Sequence, residues 1–406
     1  MVDHKRLPTP HPGRAAAERF VTDHLGHLVC DSSHIVGSAR VRGGQAAADA
    51  ALAGFDVVGY ASRRNQVLPV SDRGASALSP YIRHGLLTLR QVWDHVTGGP
   101  SKDVAKFRDE LLWQEYARHW YLHHGAASAR GVRRDQAEVE PLVSWDRSMA
   151  CIDVTLGELE RDGWLVNQTR MWLASEWSVR RGGAWQVGEE HFFRHLLDGS
   201  RAANRMGWQW TVGVGSSKHY GFSRSQVERR APDLCRGCAH RSACPIADWP
   251  DEPMWTSGES PAGRRMSVDP VELSTLRSTG VEPEAVWLTA ESLGDADPAL
   301  SAHPDLPAVF VFDEPLLARL QLSSKRLVFL IESLADLARR RLVEVWRGDP
   351  EQVLAGRSVA VTFAPVPGFH RIARRVAPAV IHPYPWLVAP SVGPIGSFSA
   401  WRRRRG

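Results

Sequence analysis

The sequence predicts two domains of different class: a mainly α-helical domain over residues 1–250 and a small α/β domain with a parallel sheet over residues 285–406. A linker at residues 251–284 joins them. Three observations predict this. Apolar residues recur every three and four positions in AAADAALAGF, FRDELLWQEYARHWY and EEHFFRHLLDG, which is the period of an amphipathic helix. After residue 285, short apolar runs alternate with helical patterns, which places helices over a parallel sheet. Between them, PDEPMWTSGESPAGRRMSVDP is rich in Pro, Gly, Ser and charge, as linkers are.

In the first domain, Thr155–Leu165 and Arg170–Val179 continue the helical pattern, and SDRGASALSPY and VGVGSSKHYGFS mark breaks. In the second, Ala285–Thr289 and Ala308–Phe312 read as buried strands, and ADPALSAHPDLP between them as loop with at most a short helix. Ser323–Arg340 reads as an amphipathic helix capped by its Ser-Ser pair. Leu342–Trp346, Ser358–Phe363 and Ala379–His382 supply further strands, with short helices near Pro350 and Phe369.

Composition narrows the function classes. The chain has 406 residues, 43% apolar and 23% charged, the profile of a globular protein. It contains no run of about 18 apolar residues of the kind that spans a membrane. MVDHKRLPTPHPGR lacks the apolar core of a secretory signal, so a cytoplasmic protein is expected. Residues 1–250 hold 32 Lys and Arg against 27 Asp and Glu, which accounts for the whole net charge of +5 and suits a phosphate backbone. There are 16 tryptophans, and 11 of them fall between Trp93 and Trp249. That density points to a site that stacks rings or passes electrons.

Cys235, Cys238 and Cys244 form a C-x2-C-x5-C arrangement in DLCRGCAHRSACPI. Two thiolates three residues apart, with Gly237 allowing a tight bend, suit one metal centre, and the Pro after the third Cys fits an iron–sulfur loop. Spacing alone leaves zinc and an iron–sulfur cluster both open, with Cys151 or Cys30 as the fourth ligand.

Four motifs across residues 45–250 resemble the FAD-binding domain of the DNA photolyase/cryptochrome family. GYASRRN with ASALSPYIRHG is similar to its phosphate-holding segment, which implies cofactor contacts from Tyr60, Ser76, Leu78 and Ser79; Ala77 stands where the family has Arg. FRDELLWQEYARHW resembles the E-L-x-W-R-E-F helix, implying Glu110 at both cofactor and substrate and Trp113 against the substrate, with Gln114 replacing an Arg. DGWLVNQTRMWLAS is similar to G-W-x-x-N-x-x-R-M, implying Asn167 and Arg170 at the flavin and Met171 at the substrate. WQVGEEHFFRHLLDGSRAANRMGWQW resembles a fourth family motif almost position for position. It implies that Asp198 pairs with Arg170, that Asn204 faces the flavin, that Ser200 takes a cofactor-contacting position usually held by Asp, that Trp208 and Trp185 relay electrons, and that Trp210 walls the substrate pocket. Trp145 is the candidate third relay.

The resemblance further implies an α-helical photolyase-type FAD domain followed by a Rossmann-like antenna-type domain, the reverse of the family's usual order. HYGFSRSQVERRAPDLCRGCAHRSACPI resembles the cluster loop of the bacterial iron–sulfur branch, which implies a [4Fe–4S] cluster on Cys151, Cys235, Cys238 and Cys244 and leaves Cys30 outside the set. The expected activity is that of a deoxyribodipyrimidine photolyase, a carbon–carbon lyase that binds UV-damaged DNA as a monomer and splits pyrimidine dimers by electron transfer from reduced FAD. Glu110, Asn204, Trp185 and Trp208 would be catalytic, and Arg64, Trp113, Met171 and Trp210 would bind substrate. Loss of the Arg-rich opening at Thr289–Ala290 leaves an antenna chromophore open. The alternative within the same family is a cryptochrome-like blue-light photoreceptor without repair activity.

Overall fold

The computed structural model describes residues 4–251, 255–257, 273–391, 393 and 395–404, so most of the expected linker at 251–284 lies outside the described residues. The chain divides into two compact units, and they interleave. One, here the sheet unit, comprises Met1–Phe55, Leu78–His95 and Met266–Gly393. The other, the helical unit, comprises Asp56–Ala77, Val96–Arg265 and Pro394–Gly406. This differs from a partition near residue 250, because the first helices of the chain pack onto the helix Ser324–Leu337 of the sheet unit.

In the sheet unit, five parallel strands run in the spatial order Val343–Gly348, Ala308–Asp313, Ala285–Leu288, Val359–Thr362 and Val380–His382. Ala285–Leu288 and Val359–Thr362 are buried at every position, as strands covered on both faces are. The sheet is larger than the sequence suggested and mixed in direction. Lys5–Leu7 adds an antiparallel edge beside Val343–Gly348, and Arg277–Ser278 adds another beside Val380–His382. Neither edge strand carries enough apolar alternation to announce itself.

The helix Ser324–Leu337 organises this unit. Its expected Ser-Ser cap is replaced: Ser324 donates from its backbone N to Asp31 Oδ1 at 2.7 Å and from its hydroxyl to Asp31 Oδ2 at 2.9 Å. The same helix then caps another. Glu332 Oε2, Ser333 Oγ and Asp336 Oδ2 accept the backbone N–H groups of Gly43, Gly44 and Gln45 at 2.8, 3.0 and 2.9 Å. These are the orphan donors at the start of the helix Gln45–Ala53. Such close approach requires glycine, since a Cβ on Gly43 would stand 2.2 Å from the Phe329 carbonyl oxygen, and Gly44 has φ of 104°.

The helical unit is built from Ser101–His124, Ala150–Asp162, Asn167–Ala174, Trp185–His195, Ala203–Val212 and Arg224–Arg230. Asn167–Ala174 continues into a π-helical turn at Ser175–Arg180. Trp145, Trp172, Trp177, Trp185 and Trp208 share its core, so much of the tryptophan excess is packing. The C-terminal helix Phe398–Arg403 lies on Ser101–His124. Phe398 stacks on Trp113 with ring centroids 3.9 Å apart, Trp401 Nε1 donates to His119 Nδ1 at 3.2 Å, and Arg402 pairs with Asp109 at 2.6 Å.

In the π-helical turn, Glu176 is 1% exposed, and among the described residues its Oε2 has no hydrogen-bond partner. Burial pushes its carboxyl up to about 7 from 4.5, against the opposing pull of Arg181. Between those pH values the folded chain holds a proton that the unfolded chain has lost. Stability therefore falls as pH rises through this window, by on the order of 3 kcal/mol. Urea unfolding of the parent and of Glu176→Gln across pH 5–8 should show that slope flattened in the variant. Gly43→Ala should destabilise by about 1–3 kcal/mol in the same assay, through overpacking against Phe329.

Candidate functional site

The helical unit gathers the sequence-predicted residues into three clusters. The first is centred on Glu189, a carboxylate in Trp185–His195 that is 2% exposed. Asn204 Nδ2 donates to both its carbonyl oxygen and its Oε1, each at 3.2 Å. Arg201 NH1 donates to Oε2 at 2.6 Å, and Arg205 NH2 reaches the same oxygen at 3.4 Å. Burial lifts the Glu189 carboxyl above its ordinary range, and the two guanidinium groups oppose that rise. Arg201 also lies 3.8 Å over the Phe193 ring. Trp208 crosses the same helix so closely that a Cβ on Gly188 would meet its ring at 2.2 Å. Among the described residues, the buried Trp208 Nε1 and Arg205 Nε have no hydrogen-bond partner.

In the second cluster, Arg170 and Asp198 form a two-pronged ion pair, NH1 to Oδ1 at 3.1 Å and NH2 to Oδ2 at 2.8 Å. Arg170 Nε donates to the Leu165 carbonyl at 3.0 Å, which fixes the guanidinium plane. Asn167 begins the helix carrying Arg170 and is exposed, and Met171 is half-buried. Ser200 accepts a hydrogen bond from the backbone N of Ala203 at 3.0 Å. This bond ties Ser200 to the first residue of the helix Ala203–Val212.

In the third cluster, Glu110 pairs with Arg64 at 3.1 Å and with Lys106 at 2.8 Å. Tyr60 sets its ring edge-on to Phe107 at 4.9 Å, and burial, then the Glu110 charge, raises its hydroxyl well above the usual range. Asp103 holds this turn by accepting from Gly59 N and Ala61 N, both at 2.8 Å. Trp113 is half-buried, with Phe398 against one face. Trp210 is 44% exposed.

The residues expected around the cofactor phosphates do not all fall in one unit. Tyr60 and Ser76 belong to the helical unit, while Leu78 and Ser79 belong to the sheet unit, where Ser79 opens the short helix Ser79–Arg83. Trp185 is fully buried, and its Nε1 donates to Asp135 Oδ1 at 3.3 Å. Trp145 packs on Trp177 at 4.4 Å and on Phe192 at 6.3 Å, and Phe192 meets Trp208 at 5.1 Å. Rings thus run from Trp208 to Trp145. Sequence reasoning assigned no role to Glu189, Arg201 or Arg205; the Gly-Glu pair within the fourth motif was the available signal.

The iron–sulfur expectation needs correction. Cys151, Cys235, Cys238 and Cys244 line one cavity. Among the described residues, however, no group of three or more His, Cys, Asp or Glu side chains is placed to hold a metal ion. The [4Fe–4S] cluster on these four cysteines, and with it the iron–sulfur branch, is therefore withdrawn. Burial first, then the other three thiols, pushes Cys151 up to about 12, and burial raises Cys235 too.

The paired charges, the buried rings and the buried indole and guanidinium donors all lie in the helical unit. Residues 107–231 match the FAD binding domain of DNA photolyase. The chain is similar to the deoxyribodipyrimidine photo-lyases of Alkalihalophilus pseudofirmus, 30% identical over 35% of this chain and 32% of that protein, and of Synechococcus sp., 28% identical over 49% and 47%. Among solved structures, a bacterial class III photolyase from Agrobacterium tumefaciens is 25% identical over 41% of this chain and 37% of that one, with a TM-score of 0.36. The likeness to the photolyase family thus lies in the helical segment around residues 107–231. The chain spans about a third to a half of the length of these relatives. Among the described residues, no helix is long and apolar enough to cross a membrane.

Asp198→Ala leaves Arg170 without its carboxylate. It should lower stability by about 1.5–3 kcal/mol, the range for hydrogen bonds to charged groups, read from the urea midpoint at unchanged slope.

Proposed function

We propose that this chain is a blue-light-driven DNA-repair flavoprotein that splits pyrimidine dimers. The observation that carries the reading is the Glu189–Asn204 hydrogen bond together with the Arg170–Asp198 pair, all four residues within the segment that matches the photolyase FAD domain.

The residues fit FAD. Trp208 Nε1 and Arg205 Nε are buried donors without partners, and Arg170 with Asp198 offers a charged, planar and rigid neighbour for a polar ring. When bound and reduced, FAD supplies on illumination the electron that opens the dimer. Tyr60, Ser76, Asn167, Arg170, Asp198 and Ser200 of the helical unit would hold the cofactor. Glu189 orients the amide of Asn204, so that Asn204 can stabilise developing negative charge without reorganising. Glu110, charged between Arg64 and Lys106, would bind the damaged bases at their polar edges.

Trp113 and Trp210 would stack the dimer once it is flipped out of UV-damaged DNA, with Arg64 and Met171 beside it. Phe398 backs Trp113 and pre-sets that wall. Trp208 and Trp185 would relay electrons inward from the protein. In this reading the sheet unit, most of whose strands follow the helical segment in sequence, serves as scaffold.

The test is repair by the purified, FAD-loaded chain. Cyclobutane dimers should disappear from irradiated DNA under blue light and persist in the dark. Glu110→Ala should lower the light-dependent rate on the order of tenfold, for the loss of one charge-assisted hydrogen bond. Bound FAD without light-dependent repair would overturn the proposal and favour a photoreceptor.

A further inference from the structure

Two tryptophans of the helical unit stand out at the surface, Trp210 at 44% exposed and Trp249 at 50%. Tyr220 joins them. Its ring stacks on Trp210 with centroids 5.9 Å apart and planes 29° from parallel, and its edge meets Trp249 at 5.9 Å and 79°. Three aromatic rings thus form one continuous surface, whereas exposed apolar side chains are normally scattered singly.

The surface is held rigidly. The Tyr220 hydroxyl accepts from Gln168 Nε2 and donates to Gln226 Oε1, each at 2.9 Å, and its backbone N donates to Thr211 O at 2.6 Å. Arg180 NH2 donates to the carbonyl of Asp248 at 2.6 Å, which anchors the residue before Trp249. A Cβ on Gly221 would stand 2.4 Å from Pro250 and 2.9 Å from the Trp249 ring, so glycine there admits the tryptophan against Tyr220. Cations border the platform. Lys218 is exposed two residues before Tyr220, and Arg134 bonds the carbonyls of Gly213 and Ser217 in the loop between Trp210 and Tyr220. Flat, rigid, half-exposed rings edged by positive charge match an unpaired nucleobase and its phosphate.

We infer that Tyr220 and Trp249 extend Trp210 into a stacking platform that holds a further unpaired DNA base beyond the pocket. This rests on the reading of Trp210 as a pocket wall. The occupant is a base flanking the lesion, unstacked when the dimer leaves the duplex, with its phosphate near Lys218 and Arg134.

The test uses the full chain and fluorescein-labelled single-stranded oligothymidine, with affinity read by anisotropy across a salt series. Trp249→Leu, which keeps apolar bulk and removes the ring, should weaken binding about 5- to 150-fold at an unchanged salt slope, the range for loss of one stacked base. Trp249→Phe should recover most of that loss. Lys218→Ala should make the slope shallower by about one. Unchanged affinity in Trp249→Leu, or a loss that Trp249→Phe does not recover, overturns the platform. If Trp249→Leu weakens binding as expected while the parent clears no dimers under blue light, the platform stands and the repair reading falls. If the parent repairs and Trp249→Leu binds normally, the repair reading stands and the platform falls.

Discussion

A carboxylate buried among apolar rings is costly unless its charge is met on every side, and Glu189 imposes that condition on the helical unit. Its oxygens meet Arg201 and Arg205 and take the Asn204 amide, so two helices are joined in one register. The close crossing of Trp208 over Gly188 is a second consequence of that register. Any group facing Asn204 therefore meets an amide whose direction is already decided. This is preorganisation in its physical sense, a dipole that need not turn when charge arrives.

The sheet unit meets its own constraint by a comparable device. One buried helix, Ser324–Leu337, receives a carboxylate at its start and lends a carboxylate, a hydroxyl and a second carboxylate to the start of another helix. Glu332 also pairs with Arg14 and Arg42. The N-terminal residues are consequently part of the sheet unit. Local caps are weak links by comparison, because they tie nothing distant together.

Tryptophan and cysteine show how composition can mislead about role. Trp172, Trp177 and Trp185 are among the largest fully buried side chains, and they fill the core as any bulky apolar group would. Among the described residues, Trp210 and Trp249 are exposed. The cysteines share a cavity wall, and burial keeps Cys151 and Cys235 protonated. In both cases residue type suggested chemistry, and burial decided which residues have it.

Helix and strand positions were legible in the sequence because apolar period is a local property. The helix at Ser101–His124, the strand at Ala308–Asp313 and the helix at Trp185–His195 follow from it directly. The Arg170–Asp198 pair was legible from motif order as well, and the structure closes it at 2.8 Å. What only the tertiary structure decided was non-local. Asp31 caps a helix 293 positions away, Lys5–Leu7 joins a strand more than 300 residues later, and Glu189 finds its two arginines across a turn between helices. Ser200 accepts the backbone N–H of Ala203, a contact that motif position did not announce. Such pairings depend on which surfaces meet after folding, and a periodic pattern records only that a surface exists. The helical flavin-type domain was therefore visible from sequence, while the interleaving of the two units and the withdrawal of the iron–sulfur cluster came from the packed structure alone.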